Sequence, residues 1–369
     1  MEGKLRIVEL FAGIGAQAMA LEQLGIPFES TVCEIDRNAY ASYCAIHGDT
    51  PNLGDITKVE HLPDCDLMTY SFPCQDLSVA GKRRGMSEGS GTRSSLLWEV
   101  SRLLMDAIER EREPEYLLME NVDAILFKAN ISDFERWVSM LSDMGYTSSY
   151  AVMNAKDYGV PQSRSRCFMV SRRNGWRFRF PKPCPDGRVL KDVLEDDVPE
   201  EYYLSDEKVA TYERHRKRHL DKGDGFGWRP AEPTGMAFTI GTKPDRPNQN
   251  FIIMSGHIET GYDHSSRVYD TGGVSLTLCT KDESPKVETE GGEPKNVRIR
   301  NLTPRECWRL MGFPDWAYDR AKAVPMGKTG LYKQAGNSIA VPCLVAIFRG
   351  MFIEGTWVRS PRIEDYNKN

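Results

Sequence analysis

A cysteine that follows a proline, a glutamate at the end of an apolar run and closely spaced arginines are the side chains here best suited to making and breaking bonds. Cys74 closes the run Ser71-Phe72-Pro73-Cys74, after Asp66-Leu67-Met68-Thr69-Tyr70, which reads as a short buried strand. Pro73 fixes its own φ and removes a backbone donor. A thiol leaving a strand on such a rigid corner is held clear of the sheet, where a substrate can meet it. Free cysteines are most often buried apolar residues, but the polar neighbours Gln75, Asp76 and Ser78 argue against a core position. The reading is a nucleophile, which acts as a thiolate.

A second reactive group would be an acid. Glu115-Tyr116-Leu117-Leu118-Met119 reads as a parallel-type strand that runs into Glu120-Asn121-Val122. A carboxylate at the carboxyl end of such a strand lies where open α/β sheets bind ligands; a loop-capping acid is the plain alternative. Farther on, Gln162-x-Arg164-x-Arg166 continues into Phe168-Met169-Val170. Strand alternation would put Gln162, Arg164 and Arg166 on one face, either solvated or turned toward a polar substrate.

The elements that must position these groups begin at Lys4–Leu10, a strand feeding the glycine turn Phe11-Ala12-Gly13-Ile14-Gly15-Ala16 and a helix to about Leu24 that Gly25 closes. Gly13-x-Gly15-x-x-Ala18, with Glu34 and Asp36 some way on, also fits a dinucleotide fingerprint, so a nicotinamide dehydrogenase is a rival at this point. A carboxylate after the second strand can accept both ribose hydroxyls of an adenosine. For Asp36, a helix N-cap is an equal alternative. Gly54-Asp55-Ile56 offers a carboxylate to an adenine amine.

The loop Ala80–Ser95 is rich in Gly, Ser and basic residues, and suits either a solvated loop or a lid over a phosphate backbone. An amphipathic helix is expected from Ser95 to about Glu111. Residues 173–300 differ in texture, with many Gly and Pro, the acidic Glu195-Asp196-Asp197 and the basic Arg214-His215-Arg216-Lys217-Arg218. Short strands are expected near 235–241, 250–255 and 275–279. Thr303-Pro304-Arg305-Glu306 is a capping box with proline at the first helical position. Gln334-Ala335-Gly336-Asn337-Ser338 should open an apolar helix over 339–352.

At 369 residues, 40% hydrophobic and 27% charged, the chain suits one large core and a second, smaller one. No apolar run approaches the roughly 18 residues of a membrane span, and the start of the chain shows no signal-peptide pattern. Nine cysteines without a Cys-x-x-Cys pair point to reduced thiols in a cytoplasm, with no zinc site. A net charge of −5 gives no general attraction to nucleic acid, so DNA binding would have to come from local basic clusters.

Taken in order, the glycine turn, Glu34, Asp55, Pro73-Cys74-Gln75, Glu120-Asn121-Val122, Gln162-x-Arg164-x-Arg166, the variable region, the capping-box helix and Gly336-Asn337-Ser338 resemble the DNA (cytosine-5) methyltransferases of the compact bacterial or phage type. The resemblance spans nearly the whole chain outside the central region. It departs at Glu9, where most relatives have Asp, and at Ala16, where Gly is usual. It implies an α/β fold: a Rossmann-like S-adenosylmethionine-dependent methyltransferase domain over 1–173, completed by a helix at about 326–360, and a smaller, irregular β-rich target-recognition domain over 174–325. It also implies catalysis by Cys74, Glu120, Arg164 and Arg166. The cofactor, S-adenosyl-L-methionine, would be held by Phe11, Gly13, Gly15, Glu34, Ile35, Asp55, Ile56, Pro73, Leu96, Asn337 and Ser338. Gln75, Ser78, Arg84, Arg93 and Gln162 would contact DNA. The implied partner is double-stranded DNA; the expected enzyme is a cytoplasmic, metal-free monomer, with a cognate restriction endonuclease acting separately. Rival readings are a tRNA cytosine-5 methyltransferase of the same fold and a catalytically silent DNA-binding relative.

Overall fold

The computed structural model describes residues 3–73, 96–222, 231, 234–240, 251–255 and 298–359. Its centre is a six-stranded sheet in the order β2-β1-β3-β4-β6-β5. These strands are β1 (Leu5–Leu10), β2 (Phe28–Cys33), β3 (Leu67–Tyr70), β4 (Tyr116–Val122), β5 (Tyr146–Asn154) and β6 (Ser165–Arg173). β1, β3 and β4 are nearly continuous runs of buried residues, as expected of parallel strands covered on both faces. Helices α1 (Ala16–Gln23), α2 (Arg37–His47), α3 (Leu97–Glu109) and α4 (Ile131–Asp143) connect or cover them.

The first four strands run parallel, and β6 alone is antiparallel to its neighbours. Two consequences place the site. β1 lies between β2 and β3, so the strand order reverses there, and ligands bind outside the carboxyl ends at such a switch point. Because β6 is reversed, its first residues rather than its last reach that edge, with Arg166 paired to Val122.

Beyond the sheet lie β7 (Trp176–Phe178), α5 (Asp206–Lys222), β8 (Phe251–Ser255), β9 (Arg298–Asn301), α6 (Pro304–Leu310), α7 (Asp315–Lys322), α8 (Lys328–Asn337), α9 (Val341–Phe348) and β10 (Trp357–Arg359). β7 pairs with β10, and β8 with β9. Phe251 and Ile299 form a small cluster of their own, with Leu204, Val209 and Tyr212 against it. Residues of α6, α7, α8 and α9 instead share one large cluster with α1 and the sheet face built by Leu5, Ile7 and Val170. The strand expected near 250–255 is present, 234–240 joins only through an isolated bridge from Ala237 to Gln162, and 275–279 lies outside the described residues.

The Thr303 hydroxyl accepts from the Glu306 N–H and the Glu306 carboxylate accepts from the Thr303 N–H, the reciprocal capping box. Glu306 does more: both its oxygens take the Arg300 guanidinium at 2.7 Å, and Oε1 accepts from the Glu195 N–H.

One sequence expectation needs correction here. The stretch 334–338 ends a helix before another opens: α8 stops at Asn337 and α9 starts at Val341. Pro342 explains the break, since its ring would strike the Ser338 carbonyl, four residues back, in a continuous helix. Lys328–Ile353, which spans both helices, is long and apolar enough for a membrane span by length and composition alone. Its apolar side chains, among them Leu331, Val341, Leu344, Ile347 and Phe348, belong to the core.

Candidate active site

At the carboxyl end of β4 the Glu120 side chain is buried, with Arg166 Nε 3.3 Å from its Oε1. Burial pushes the Glu120 carboxyl above its ordinary value, against the pull of Arg166, Arg164 and a hydrogen bond from Ser71. The acid therefore holds its proton to higher pH than a surface glutamate. Arg164 is buried beside it, and its Nη2 donates to Gly336 O at 3.1 Å and Ser338 O at 2.8 Å. Those are carbonyls that the Pro342 break leaves near the end of α8. Next to Glu120, Asn121 Nδ2 donates to Phe72 O at 3.0 Å and anchors the corner that delivers Pro73.

The opposite wall is the glycine turn. Phe11 at φ 61 and Gly13 at φ 60 are both left-handed, a conformation that disfavours side chains. A Cβ at Gly13 would meet nothing within 4 Å, so this backbone faces open space. Glu34 accepts from the Gly13 N–H at 2.8 Å and the Asp36 N–H at 2.7 Å, and each oxygen keeps a lone pair for a ligand hydroxyl. Burial raises the Glu34 carboxyl as well. Asn52 ties this wall together, accepting from Glu34 N–H and Gly54 N–H and donating to Glu34 O. Arg102 Nη2 donates to Ile56 O and Val59 O, fixing the turn that carries Asp55.

Both walls line a single cleft of about 330 Å³, within the usual size of small-molecule sites. Phe11, Gly13, Glu34, Ile35, Asp55, Ile56, Pro73, Leu96, Asn337 and Ser338 line it together with Glu120, Arg164 and Arg166. Apolar Ile35, Ile56 and Leu96 suit an aromatic base, Asp55 an exocyclic amine and Glu34 a ribose, so the donor set fits an adenosine cofactor. Cys33 lines the cleft too, but burial pushes its thiol up to about 12, as it does for Cys65, Cys167 and Cys343. None of those four is a thiolate at neutral pH.

Gln162 departs from its expected place. It precedes β6, is fully buried, donates to Leu310 O at 2.8 Å and accepts from Ile240 N–H, so it faces the protein rather than DNA. Gly15 is corrected likewise. It does not line the cleft, and a Cβ there would lie 2.5 Å from His47 Nε2, so glycine admits a histidine rather than a ligand. Asp36 takes the N-cap role, accepting from Asn38 and Ala39 N–H, while pairing with Lys333 Nζ at 2.6 Å on the cleft rim. Cys74, Gln75, Ser78, Arg84 and Arg93 lie outside the described residues. Sequence reasoning gave no role to Asn52, Arg102, Asn121 or Lys333. For Asn121, the adjacent Glu120 was the available signal.

A mostly parallel sheet with a cleft at its switch point, holding an acid–arginine pair, is consistent with a Rossmann-like methyltransferase fold. The C-5 cytosine-specific DNA methylase family model matches residues 5–352, and the chain belongs to that family as a DNA (cytosine-5) methyltransferase. It is 31% identical to the type II methyltransferase M2.ScrFI of Lactococcus lactis subsp. cremoris, covering 94% of this chain and 99% of that one. Identity is 34% with the type II methyltransferase M.HpaII of Haemophilus parainfluenzae, over 93% and 88% of the two chains. Among solved structures, the S. pombe Dnmt2 methyltransferase superposes with a TM-score of 0.66 at 20% identity, covering 96% of this chain and 99% of that one. The dehydrogenase reading is overturned by the family match, and a tRNA substrate is not favoured by it.

Proposed function

We propose that the enzyme methylates C5 of a cytosine flipped out of a specific double-stranded DNA sequence, using S-adenosyl-L-methionine and a transient bond from Cys74 to C6. The observation that carries this reading is the raised, buried Glu120 in one cleft with Glu34 and Gly13, beside the corner that leads to residue 74. C5 is a poor nucleophile until electrons are pushed into the ring. The Cys74 thiolate forms the S–C6 bond, the C5–C6 π electrons shift into the ring, and Glu120 gives its proton to N3, so no charge accumulates there. Arg166, 3.3 Å from Glu120, orients that acid, and Arg166 or Arg164 holds O2 in this reading. When bound, S-adenosyl-L-methionine supplies the electrophilic methyl group that the activated C5 takes. A base then removes the C5 proton, the C5–C6 double bond re-forms, Cys74 leaves as thiolate, and N3 returns its proton to Glu120.

The cytosine must leave the stack to reach this cleft, at a cost of a few kcal/mol. Recognition of the surrounding sequence is assigned to residues 174–325, with Gln75, Ser78, Arg84 and Arg93 on the DNA. A separately acting restriction endonuclease is consistent with the type II names of the relatives. Cys74→Ala should abolish methyl transfer while DNA binding survives, and DNA carrying 5-fluorocytosine at the target should form a denaturation-resistant adduct with the unsubstituted enzyme only. Full turnover by Cys74→Ala would refute the assignment.

A further inference from the structure

Residues 172–182 read Arg-Arg-Asn-Gly-Trp-Arg-Phe-Arg-Phe-Pro-Lys, a run of cations without an acid in a chain whose net charge is −5. The fold sorts these cations into two kinds. Arg172 pairs with Glu115 at 2.7 Å and lies over the Trp357 ring at 4.8 Å, while Arg173 pairs with Glu113 at 3.0 Å. Asn174 and Gly175, left-handed at φ 65 and 76, then turn the chain back into β7. There Phe178 is buried against Trp357, its register partner in β10, with 5.3 Å between ring centroids. Alternation puts Arg177 and Arg179 on the opposite, outer face beside Val358, and all three are exposed. Lys182 is exposed just beyond. Among the described residues no carboxylate pairs with Arg177, Arg179 or Lys182.

We infer that this outer face binds the phosphate backbone of a second duplex DNA segment while the cleft holds the first. Arg172 is in register with Tyr116 at the amino end of β4, whereas the cleft opens at the other end, where Val122 meets Arg166. Strand rise separates those ends by about 20 Å. A straight duplex at the cleft mouth therefore leaves the ribbon free for another stretch of DNA. β7 starts the range assigned to sequence recognition, yet it packs on the catalytic sheet, the Phe178 N–H donating to Ser149 Oγ at 3.2 Å. Guanidinium groups keep their charge at any physiological pH and present forked donors to phosphate oxygens. With Phe178 turned inward, the face offers charge rather than a stacking platform, so its contact reads no sequence. An enzyme with two such sites passes between DNA segments without complete release, which suits a search along long DNA. The inference depends on a duplex DNA substrate, but not on the cofactor or the Cys74 bond.

The test is DNA bridging by the full chain. Beads carrying one duplex are loaded with protein, washed and offered a second, labelled duplex at low salt. The unsubstituted protein should capture it, with an affinity that falls with salt by a slope of about −0.9 per phosphate engaged. Arg177→Gln with Arg179→Gln should capture about tenfold less and flatten that slope by about two, while still loading on the beads and keeping its melting temperature. Arg177→Lys with Arg179→Lys, which keeps both charges, should stay within about threefold of the unsubstituted protein. Equal capture by the glutamine variant, as bridging by two copies of the chain would give, would overturn the inference. So would no capture by the loaded unsubstituted protein, or retention through these arginines on phosphatidylserine-rich vesicles in place of the second duplex. Failure of the unsubstituted protein to load on the beads would overturn the DNA reading itself, and this inference with it.

Discussion

Two buried arginine–glutamate pairs in this molecule are built to opposite standards. Arg300 and Glu306 are both 0% exposed, joined by two bonds of 2.7 Å, and the Glu306 oxygens accept two further backbone N–H groups. Arg166 and Glu120 meet through one longer contact of 3.3 Å, and Glu120 is left facing the cleft. The first carboxylate has its acceptor sites filled by the protein. The second is held by Arg166 and a hydrogen bond from Ser71, and burial raises its carboxyl above the ordinary value. A carboxylate whose acceptor sites the protein fills holds one geometry, whereas one that faces the cleft retains hydrogen-bonding capacity for a substrate atom.

The sharpest way to break this comparison is to make each glutamate neutral. Glu120→Gln should cut methyl transfer by about 10²–10⁴-fold, because the proton for N3 is gone, while melting temperature and S-adenosylhomocysteine binding hold. Retained activity in a quenched single-turnover assay would place the acid elsewhere. Arg300→Met should leave the Glu306 carboxylate buried without its countercharge and cost about 3–5 kcal/mol in urea unfolding. Arg300→Met with Glu306→Leu should recover most of that loss; a double variant as unstable as the single would mean the pair matters for more than charge balance. The smallest effect is a pH dependence. Folded Glu120 keeps its proton above the ordinary glutamate value of about 4.3, so folding takes up a proton in that window. Stability of the unsubstituted protein should therefore fall relative to Glu120→Gln as pH rises from about 4.3 through the folded value, with no further change below that window. A constant difference across pH would contradict the raised acid.

Much of the architecture was legible because it rests on local rules. The buried strands read as apolar runs, Gly25 closes α1 at φ 65, and Thr303 with Glu306 forms its box within one helical turn. The glycine turn, Glu34 and Glu120 stand where strand ends at a switch point put them. What escaped is set by partners far apart along the chain. Strand alternation through Gln162 fails because β6 begins only at Ser165, and the partner that buries Gln162 is Leu310, 148 positions later. The need for glycine at Gly15 comes from His47 rather than from a ligand. Asn121 acts on Phe72 O across two neighbouring strand ends, a contact that spacing alone does not reveal.

The grip of Arg164 on Gly336 O and Ser338 O joins positions 172 and 174 residues apart. Ribosomes deliver those carbonyls only after residues 174–335 have emerged. A nascent chain that already displays the glycine turn and Glu120 therefore lacks the clasp that sets Arg164. A chain that stops short of Gly336 is without this clasp, and two fragments divided within residues 256–297 contain between them every residue of it.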